Sequence, residues 1–171
     1  MTHHVQFAHW VPFPIEPVFL FFANPENLPR LMPSETDTRI DKLELIRPPL
    51  PPNPGQYNLL AGLGSEIYTS FRIVPGLPFR ARWIARITEF EWNRHFADIQ
   101  AKGPFSSWHH RHEFSSERRD GVAGTVVRDQ IDYSLGFGLL GVSANHFFVA
   151  HQLRQTFRRR QEILPALLAI S

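Results

Sequence analysis

Residues 96–114 read FADIQAKGPFSSWHHRHEF, and the side chains alternate in character on both sides of a Lys-Gly-Pro turn signal. Because strand side chains repeat every two residues, the pattern predicts a β-hairpin with its turn centred near Pro104. Residues directly opposite each other in such a hairpin bring their side chains together on one face. The predicted pairs are Gln100 with Trp108, Asp98 with His110, and Phe96 with His112. An acid is therefore expected to face a histidine.

The strand predicted at residues 125–133 adds a second acid to this row. If the loop at residues 116–124 closes another hairpin, its register places Asp129 beside His110. The other face of these strands is more charged and carries no large aromatic side chain, so we assign it to solvent. That face holds His109, Arg111, Glu113, Val126, Arg128, Gln130 and Asp132. Asp98, His110 and Asp129 therefore point inward, where polar groups are costly unless they are paired or line a wet cavity.

Length and composition place the chain among globular proteins. With 171 residues, 43% of them hydrophobic and 20% charged, it suits one domain covering residues 1–171 with a substantial core. Aromatic residues make up 13% of the chain, which favours a wide apolar interior. The sequence has no cysteine, so it forms no disulfide and nothing indicates an oxidising compartment.

No membrane-spanning segment is predicted, because the longest strictly apolar run, residues 18–23, is far shorter than the roughly 20 residues that a span requires. The N-terminus lacks a charged region followed by an apolar signal segment, so we expect a cytoplasmic protein. A formal net charge of +2 is too small to indicate a nucleic-acid partner, and we interpret the arginines at residues 158–160 as a solvated helix face. Gly136 and Gly138 lack the strand-to-helix context of a phosphate-binding loop, so no nucleotide or other cofactor is expected.

The remaining pattern predicts strands separated by glycine and proline, with three helical segments. Strands are predicted at residues 3–11, 39–46, 66–74, 80–90, 96–101, 108–114 and 125–133. Short helices are predicted at residues 18–22 and 25–31, directly after the first strand, and a long helix at residues 139–169. The five prolines of residues 48–54 exclude helix and sheet interior, so this segment is predicted to be a stiff extended connector. These elements predict an α+β fold in which a curved antiparallel sheet of about seven strands wraps around the last helix.

This order of elements resembles the helix-grip, START-like (SRPBCC) superfamily, which includes the birch-pollen allergen type, lipid-transfer START domains and polyketide cyclase/dehydrase-like proteins. Several motifs are similar to a bacterial ligand-binding or cyclase-like branch of that superfamily. They are Trp83 with Ile87-Thr88-Glu89, the pattern of residues 96–114, Gly124-Thr125 with Asp129, Gly138-x-Leu140-Gly141, and Phe157-x-x-Arg160. The resemblance implies the helix-grip fold and a ligand-binding hollow.

A hollow between the sheet and the long helix needs an apolar lining and a few polar groups. The candidate lining residues are Trp83, Phe96, Trp108, Phe114, Tyr133, Val149, Leu153 and Phe157. The candidate polar residues, which would orient a ligand, are Asp98, Gln100, His110, His112, Asp129 and His146. Aromatic side chains such as these are ordinary core residues in most proteins, so the alternative is a filled interior.

The row of acids and histidines permits two kinds of chemistry. His110 could act as a general acid or base, because a carboxylate from Asp98 or Asp129 would fix its tautomer and raise its basicity. The alternative is a satisfied polar network that holds the strand register, since no nucleophile is evidently poised beside it. The His-x-His spacing of His110 and His112 can chelate zinc when a third ligand converges, such as Asp98, Asp129 or His146. The sequence does not establish that convergence, so no metal is expected.

The sequence therefore favours a protein that binds an apolar or aromatic small molecule, lipid-like or polyketide-like, between the sheet and the long helix. An alternative of another class is a cyclase, dehydratase or isomerase that uses His110 with Asp98 or Asp129 as acid and base. A third interpretation is an interaction module that binds no small molecule. The oligomeric state stays open between a monomer and a homodimer.

Overall fold

The computed structural model describes residues 2–49, 59–73, 77–136 and 142–170, with the backbone alone described at residues 142–147. Seven strands lie in the described part of the chain. They are β1 (Thr2–Val11), β2 (Arg39–Glu44), β3 (Glu66–Arg72), β4 (Arg80–Glu91), β5 (His95–Lys102), β6 (Phe105–Arg119) and β7 (Val122–Leu135). The strands form one antiparallel sheet in the order β1-β7-β6-β5-β4-β3-β2. The predicted sheet of about seven antiparallel strands is confirmed.

The helices are α1 (Ile15–Ala23), α2 (Leu28–Leu31) and α3 (Val142–Leu168). Pro17 falls in the first turn of α1, where its missing N–H costs no helical hydrogen bond. Asn24 ends α1, and its side chain accepts a hydrogen bond from the Glu26 N–H at 3.0 Å, which starts the 3-10 turn leading to α2. The two short helices after the first strand and the long final helix are as predicted. None of the helices within the described residues has the length and apolar character to cross a membrane.

Some predicted boundaries fall outside the described residues. Of the proline-rich segment 48–54, only residues 48 and 49 are described, and the predicted strand end at residue 74 and helix start at residues 139–141 lie outside that part of the chain. Within the described residues, β3 ends at Arg72 and α3 begins at Val142. The predicted site residue His146 belongs to α3, but it is one of the residues for which only the backbone is described.

The hairpin of β5 and β6 has the predicted register in its central part. Asp98 pairs with His110, and Phe96 pairs with His112. Both histidines are buried, each 7% exposed, so their strand face is the covered one. The prediction that an acid faces a histidine on the inner face of the sheet is confirmed.

The turn end of this hairpin departs from the prediction. Gln100 does not pair with Trp108 in the strand ladder. Its side-chain amide instead donates to the Phe105 carbonyl at 2.8 Å and accepts from the Phe105 N–H at 3.1 Å. Gly103 lies so close to this amide that a Cβ atom at that position would collide with it. The predicted Gln100–Trp108 pair is wrong because the Gln100 side chain closes the turn.

The register of β6 and β7 differs from the prediction by two residues. Asp129 pairs with His112, whereas it was predicted to lie beside His110. The strands continue to within two residues of each other, and the turn consists of Asp120 and Gly121, both with positive φ, at 50° and 81°. Such two-residue turns match the twist of a hairpin, so the longer predicted loop at residues 116–124 does not form. A shift of two residues preserves the face, and Asp129 still points inward.

The outer face of β6 and β7 is less exposed than predicted. Val126 is buried because it pairs with Trp10 of β1, whose indole lies against Gly124 so closely that a Cβ atom at Gly124 would collide with it. Arg111 is half-buried in an ion pair with Glu89 of β4. The assignment of this face to solvent is therefore wrong at Val126. Charged residues such as Arg111 are only partly exposed, because ion pairs between neighbouring strands cover part of their side chains.

Helices α1 and α3 cover the same face of the sheet. Phe19 of α1 contacts the rings of Phe96 and Phe114 edge-on, with centroids 5.9 and 5.2 Å away. Phe157 of α3 stacks on Phe7 of β1 at 4.2 Å. The inward row of acids and histidines therefore lies beneath helices and not in solvent.

Candidate functional site

A cavity of about 390 Å³ lies between the inner face of the sheet and the helices. Most of its wall is apolar, and Asp98, His110 and His112 line it from the strands at the centre of the sheet, while other polar side chains lie elsewhere in the wall. The predicted residues that line it are Trp83, Phe96, Asp98, Trp108, His110, His112, Val149, Leu153 and Phe157. The structure thus brings most of the predicted aromatic wall together with Asp98, His110 and His112 around one space.

Four other predicted residues have different positions. Gln100 closes the β5–β6 turn, and Phe114 packs in the core against Phe19 of α1. Tyr133 is fully buried on β7, outside the cavity lining. Asp129 lies behind the two histidines, with its side chain only 1% exposed. Their predicted contact with a ligand remains a prediction, and for Asp129 any effect on a ligand would pass through the histidines.

Asp129 is the centre of the polar cluster, because three side chains converge on its Oδ1 atom. His110 forms a hydrogen bond to it through Nε2 at 2.9 Å, and Arg160 donates from Nη1 at 3.0 Å. Nδ1 of His112 lies 2.7 Å from the same oxygen, at an angle poor for a hydrogen bond. The second oxygen, Oδ2, is buried and has no hydrogen-bond partner among the described residues.

These contacts set the protonation states of the cluster. Burial by itself raises the pKa of a carboxyl group, but the Arg160 guanidinium and the two histidines hold the pKa of Asp129 well below its ordinary value. Burial lowers the pKa of His110 and of His112, so both rings are neutral near pH 7. Because an ionised carboxylate only accepts hydrogen bonds, Nε2 of His110, which is bonded to Asp129, carries the proton of that ring. Nδ1 of His110 therefore keeps its lone pair.

Asp98 occupies the cavity wall on the other side of His110. Its Oδ2 atom lies 3.9 Å from Nδ1 of His110, which is too far for a hydrogen bond. Burial raises the pKa of Asp98, and the neighbouring His110 opposes that shift only in part. The predicted opposition of Asp98 and His110 holds, but the hydrogen bond that fixes the His110 ring comes from Asp129.

Arg160 was predicted to belong to a solvated run of arginines, and this is wrong. Arg160 is 5% exposed, whereas Arg158 and Arg159 are exposed. Its guanidinium lies 4.5 Å from the ring centre of Phe157 in addition to pairing with Asp129. Phe157, Arg160 and Leu164 follow each other at helical spacing and are all buried. This spacing could have indicated that Arg160 lies on the buried side of α3, although three consecutive arginines suggested a solvated face.

The cavity wall formed by α1, α2 and β3 was not predicted from the sequence. Phe22 of α1, Leu31 of α2 and Phe71 of β3 all line the cavity. Phe22 contacts the ring of His112 at 5.8 Å between centroids, so α1 touches the polar cluster directly. These positions depend on how distant segments pack, which a pattern of local spacing does not determine.

Three residues of the site have the chemistry and the proximity to hold a metal ion. Asp98, His110 and His112 each offer one ligand atom within 4.8 Å of the other two. The expectation of no metal rested on the lack of an established third ligand, and Asp98 lies close enough to both histidines to be a candidate for it.

No family model matches the sequence, and no curated protein matches it. Solved structures do match. A START superfamily protein from Mycobacterium smegmatis aligns over 98% of this chain and 97% of its own, with a TM-score of 0.65 and 13% identity. The Zhui aromatase/cyclase from Streptomyces sp. R1128 aligns over 99% and 94%, with a TM-score of 0.68 and 13% identity. Ara h 8.0201 aligns over 97% and 99%, with a TM-score of 0.59 and 14% identity. The chain therefore has the START-like helix-grip fold that the sequence resemblance implied.

Proposed function

We propose that the protein binds a compact apolar or aromatic small molecule in the cavity between the sheet and α3. The observation that carries this proposal is a partly open cavity of about 390 Å³ whose walls are mostly apolar and which contains a buried acid–histidine cluster. Ligand sites typically have about 300–1,000 Å³, apolar walls and a few polar groups that fix orientation. The START-like fold supports the proposal, as do neighbours named as a START superfamily protein and an aromatase/cyclase.

The size of the cavity favours a ligand of two or three rings over a long acyl chain. A cavity of about 150 Å³ accommodates benzene, so a space of about 390 Å³ offers room for roughly two or three such rings. Trp83 and Trp108, whose rings meet at 90° with centroids 5.0 Å apart, provide a rigid aromatic wall. Such a wall suits a flat aromatic ligand, because edge-to-face ring pairs add about 0.5–1.5 kcal/mol beyond their buried area.

The polar cluster would orient an oxygen substituent of the ligand. The neutral ring of His110 presents a nitrogen lone pair, His112 is a second neutral imidazole, and Asp98 presents a carboxyl group whose pKa is raised by burial. A hydroxyl or carbonyl group placed here would hydrogen-bond with these groups. We therefore infer a ligand with an apolar ring system and a hydroxyl or carbonyl at one end.

Filling the cavity tests this proposal. Leu153 lines the cavity from α3, and Gln155 is exposed two residues further along the same helix. Isothermal titration with 1-naphthol should give saturable binding of one molecule per chain to the wild type and to Gln155→Trp. Leu153→Trp should bind at least tenfold more weakly, because the indole occupies the apolar space. Equal affinity in all three proteins would show that the molecule binds elsewhere.

A second candidate function is acid–base catalysis of the cyclase, dehydratase or isomerase type. It is favoured by the 2.9 Å hydrogen bond from His110 to Asp129, because this bond leaves the other ring nitrogen unprotonated at the cavity wall. Incubation with a panel of linear and partly cyclised polyketones, followed by mass spectrometry, distinguishes the two functions. A catalyst should change a compound and lose this activity in His110→Gln while binding is retained, whereas a carrier should return every compound unchanged.

A further inference from the structure

Two strands of the central sheet bring two histidines and one carboxylate together. His110 and His112 come from β6, and Asp98 comes from the paired position on β5. One ligand atom of each residue lies within 4.8 Å of the other two. We propose that Asp98, His110 and His112 form a binding site for a divalent transition-metal ion, zinc or iron(II).

The donor set suits such an ion. Two neutral imidazoles and one carboxylate are the ligands of many zinc and non-haem iron(II) sites in which further positions stay open. Ligands about 2.1 Å from a tetrahedral zinc ion lie about 3.4 Å apart. Nδ1 of His110 and Oδ2 of Asp98 are 3.9 Å apart, so a shift of about 0.5 Å brings this pair to coordinating distance.

Residues behind the site prepare the histidines for metal binding. Oδ1 of Asp129 accepts a hydrogen bond from Nε2 of His110 at 2.9 Å and lies 2.7 Å from Nδ1 of His112, so one carboxylate faces both rings. This is the carboxylate–histidine arrangement that fixes tautomers and strengthens imidazole ligands in metal sites. Arg160 holds Asp129 from the side of α3. The charges of Arg160 and Asp129 offset each other, and binding of a metal ion requires the deprotonated form of Asp98, so a proton held there would be released.

The site opens toward the apolar cavity, because all three proposed ligands line it. An ion bound by three protein groups keeps coordination positions for water or for an oxygen of an organic molecule. The proposal thus extends the proposed function by assigning a partner for the polar end of the ligand. Metal binding does not require that ligand, and it is measured without one.

Cobalt(II) titration of the metal-free, untagged protein tests the site. The wild type should bind one cobalt(II) ion per chain with visible absorption bands, and one equivalent of zinc should remove the bands. Asp98→Asn and His112→Gln should weaken binding at least a hundredfold, and Asp129→Asn about 10–100-fold because it acts through the histidines. His109→Gln is the matched control, since His109 directly precedes the proposed ligand His110 on β6 and is half-exposed beside Glu89 on the outer face.

Several outcomes would overturn the proposal. They are the lack of saturable binding by the wild type, unchanged affinity in folded Asp98→Asn and His112→Gln, and a loss of affinity in His109→Gln alone. If the buried substitutions unfold the protein, X-ray absorption of the zinc-loaded wild type decides, because two imidazole ligands are expected and any other number contradicts the site. A failure to bind 1-naphthol would contradict the proposed function and leave these metal results unaffected.

Discussion

The ion pair between Asp129 and Arg160 should be the most sensitive point of the fold. Their contact atoms are 3.0 Å apart, and the side chains are only 1% and 5% exposed. Removing one member of a buried pair costs about 3–5 kcal/mol, because the other charge is left without a partner. Arg160→Met also loses cation–π contacts with Phe157 and Phe22, worth about 0.5–2 kcal/mol. We therefore expect Asp129→Asn to cost about 3–5 kcal/mol and Arg160→Met to fall at the upper end of that range.

The double variant Asp129→Asn/Arg160→Met contains neither charge, so its loss should be smaller than the sum of the two single losses. The expected coupling energy lies at the upper end of about 0.5–3 kcal/mol, the range for residues in direct contact. Urea unfolding followed by circular dichroism measures all four proteins, and similar m values would show that the comparison holds. Arg158→Met, at an exposed position of the same helix, should stay within about 0.5 kcal/mol of the wild type. Single losses that add within about 0.5 kcal/mol would refute the reasoning.

Two further changes should lower the free energy of unfolding: mild acid, and a larger side chain at Gly124 on the outer face of the sheet. Burial lowers the pKa of His9, with Asp129 opposing and Arg160 reinforcing the shift. Below pH 6.5 the unfolded chain therefore binds a proton that the folded chain does not, and the free energy of unfolding falls as the pH falls. His9→Leu should make this fall shallower between pH 6.5 and 5 in urea titrations with a chelator present, and an unchanged slope would exclude His9 as a source. Gly124→Ala should cost about 1–3 kcal/mol because the new methyl group meets Trp10. A thermal melt that matches the wild type would contradict that packing.

The local part of the site could be predicted from the sequence because strand alternation fixes faces. Asp98 and His110 were placed opposite each other through a short turn, and the structure has the same pair. The register of Asp129 was wrong by two residues because the Asp120-Gly121 pair, a strong signal for a two-residue hairpin turn, was treated as part of a longer loop. The face was nonetheless right, since an even shift leaves every side chain on the same side.

The remainder of the site depends on contacts between distant segments. Arg160 lies 31 residues after Asp129 in the chain, and the three consecutive arginines favoured a solvated interpretation. Phe22 and Leu31 reach the cavity because α1 and α2 fold back over the sheet, and their short apolar sequences do not reveal which side faces inward. The closeness of Asp98 to His110 and His112 could not be established from the His-x-His spacing alone, because Asp98 lies on a neighbouring strand.

The central claim is that an aromatic molecule enters the cavity, and the indole N–H signals of the four tryptophans test it most directly. Trp83 and Trp108 line the cavity, whereas Trp10 and Trp92 do not. Titration of ¹⁵N-labelled protein with 1-naphthol should shift the Trp83 and Trp108 signals together, saturating at one molecule per chain. The signals of Trp10 and Trp92 should stay in place. Shifts confined to Trp10 and Trp92, or no shift at a saturating concentration of 1-naphthol, would contradict the account.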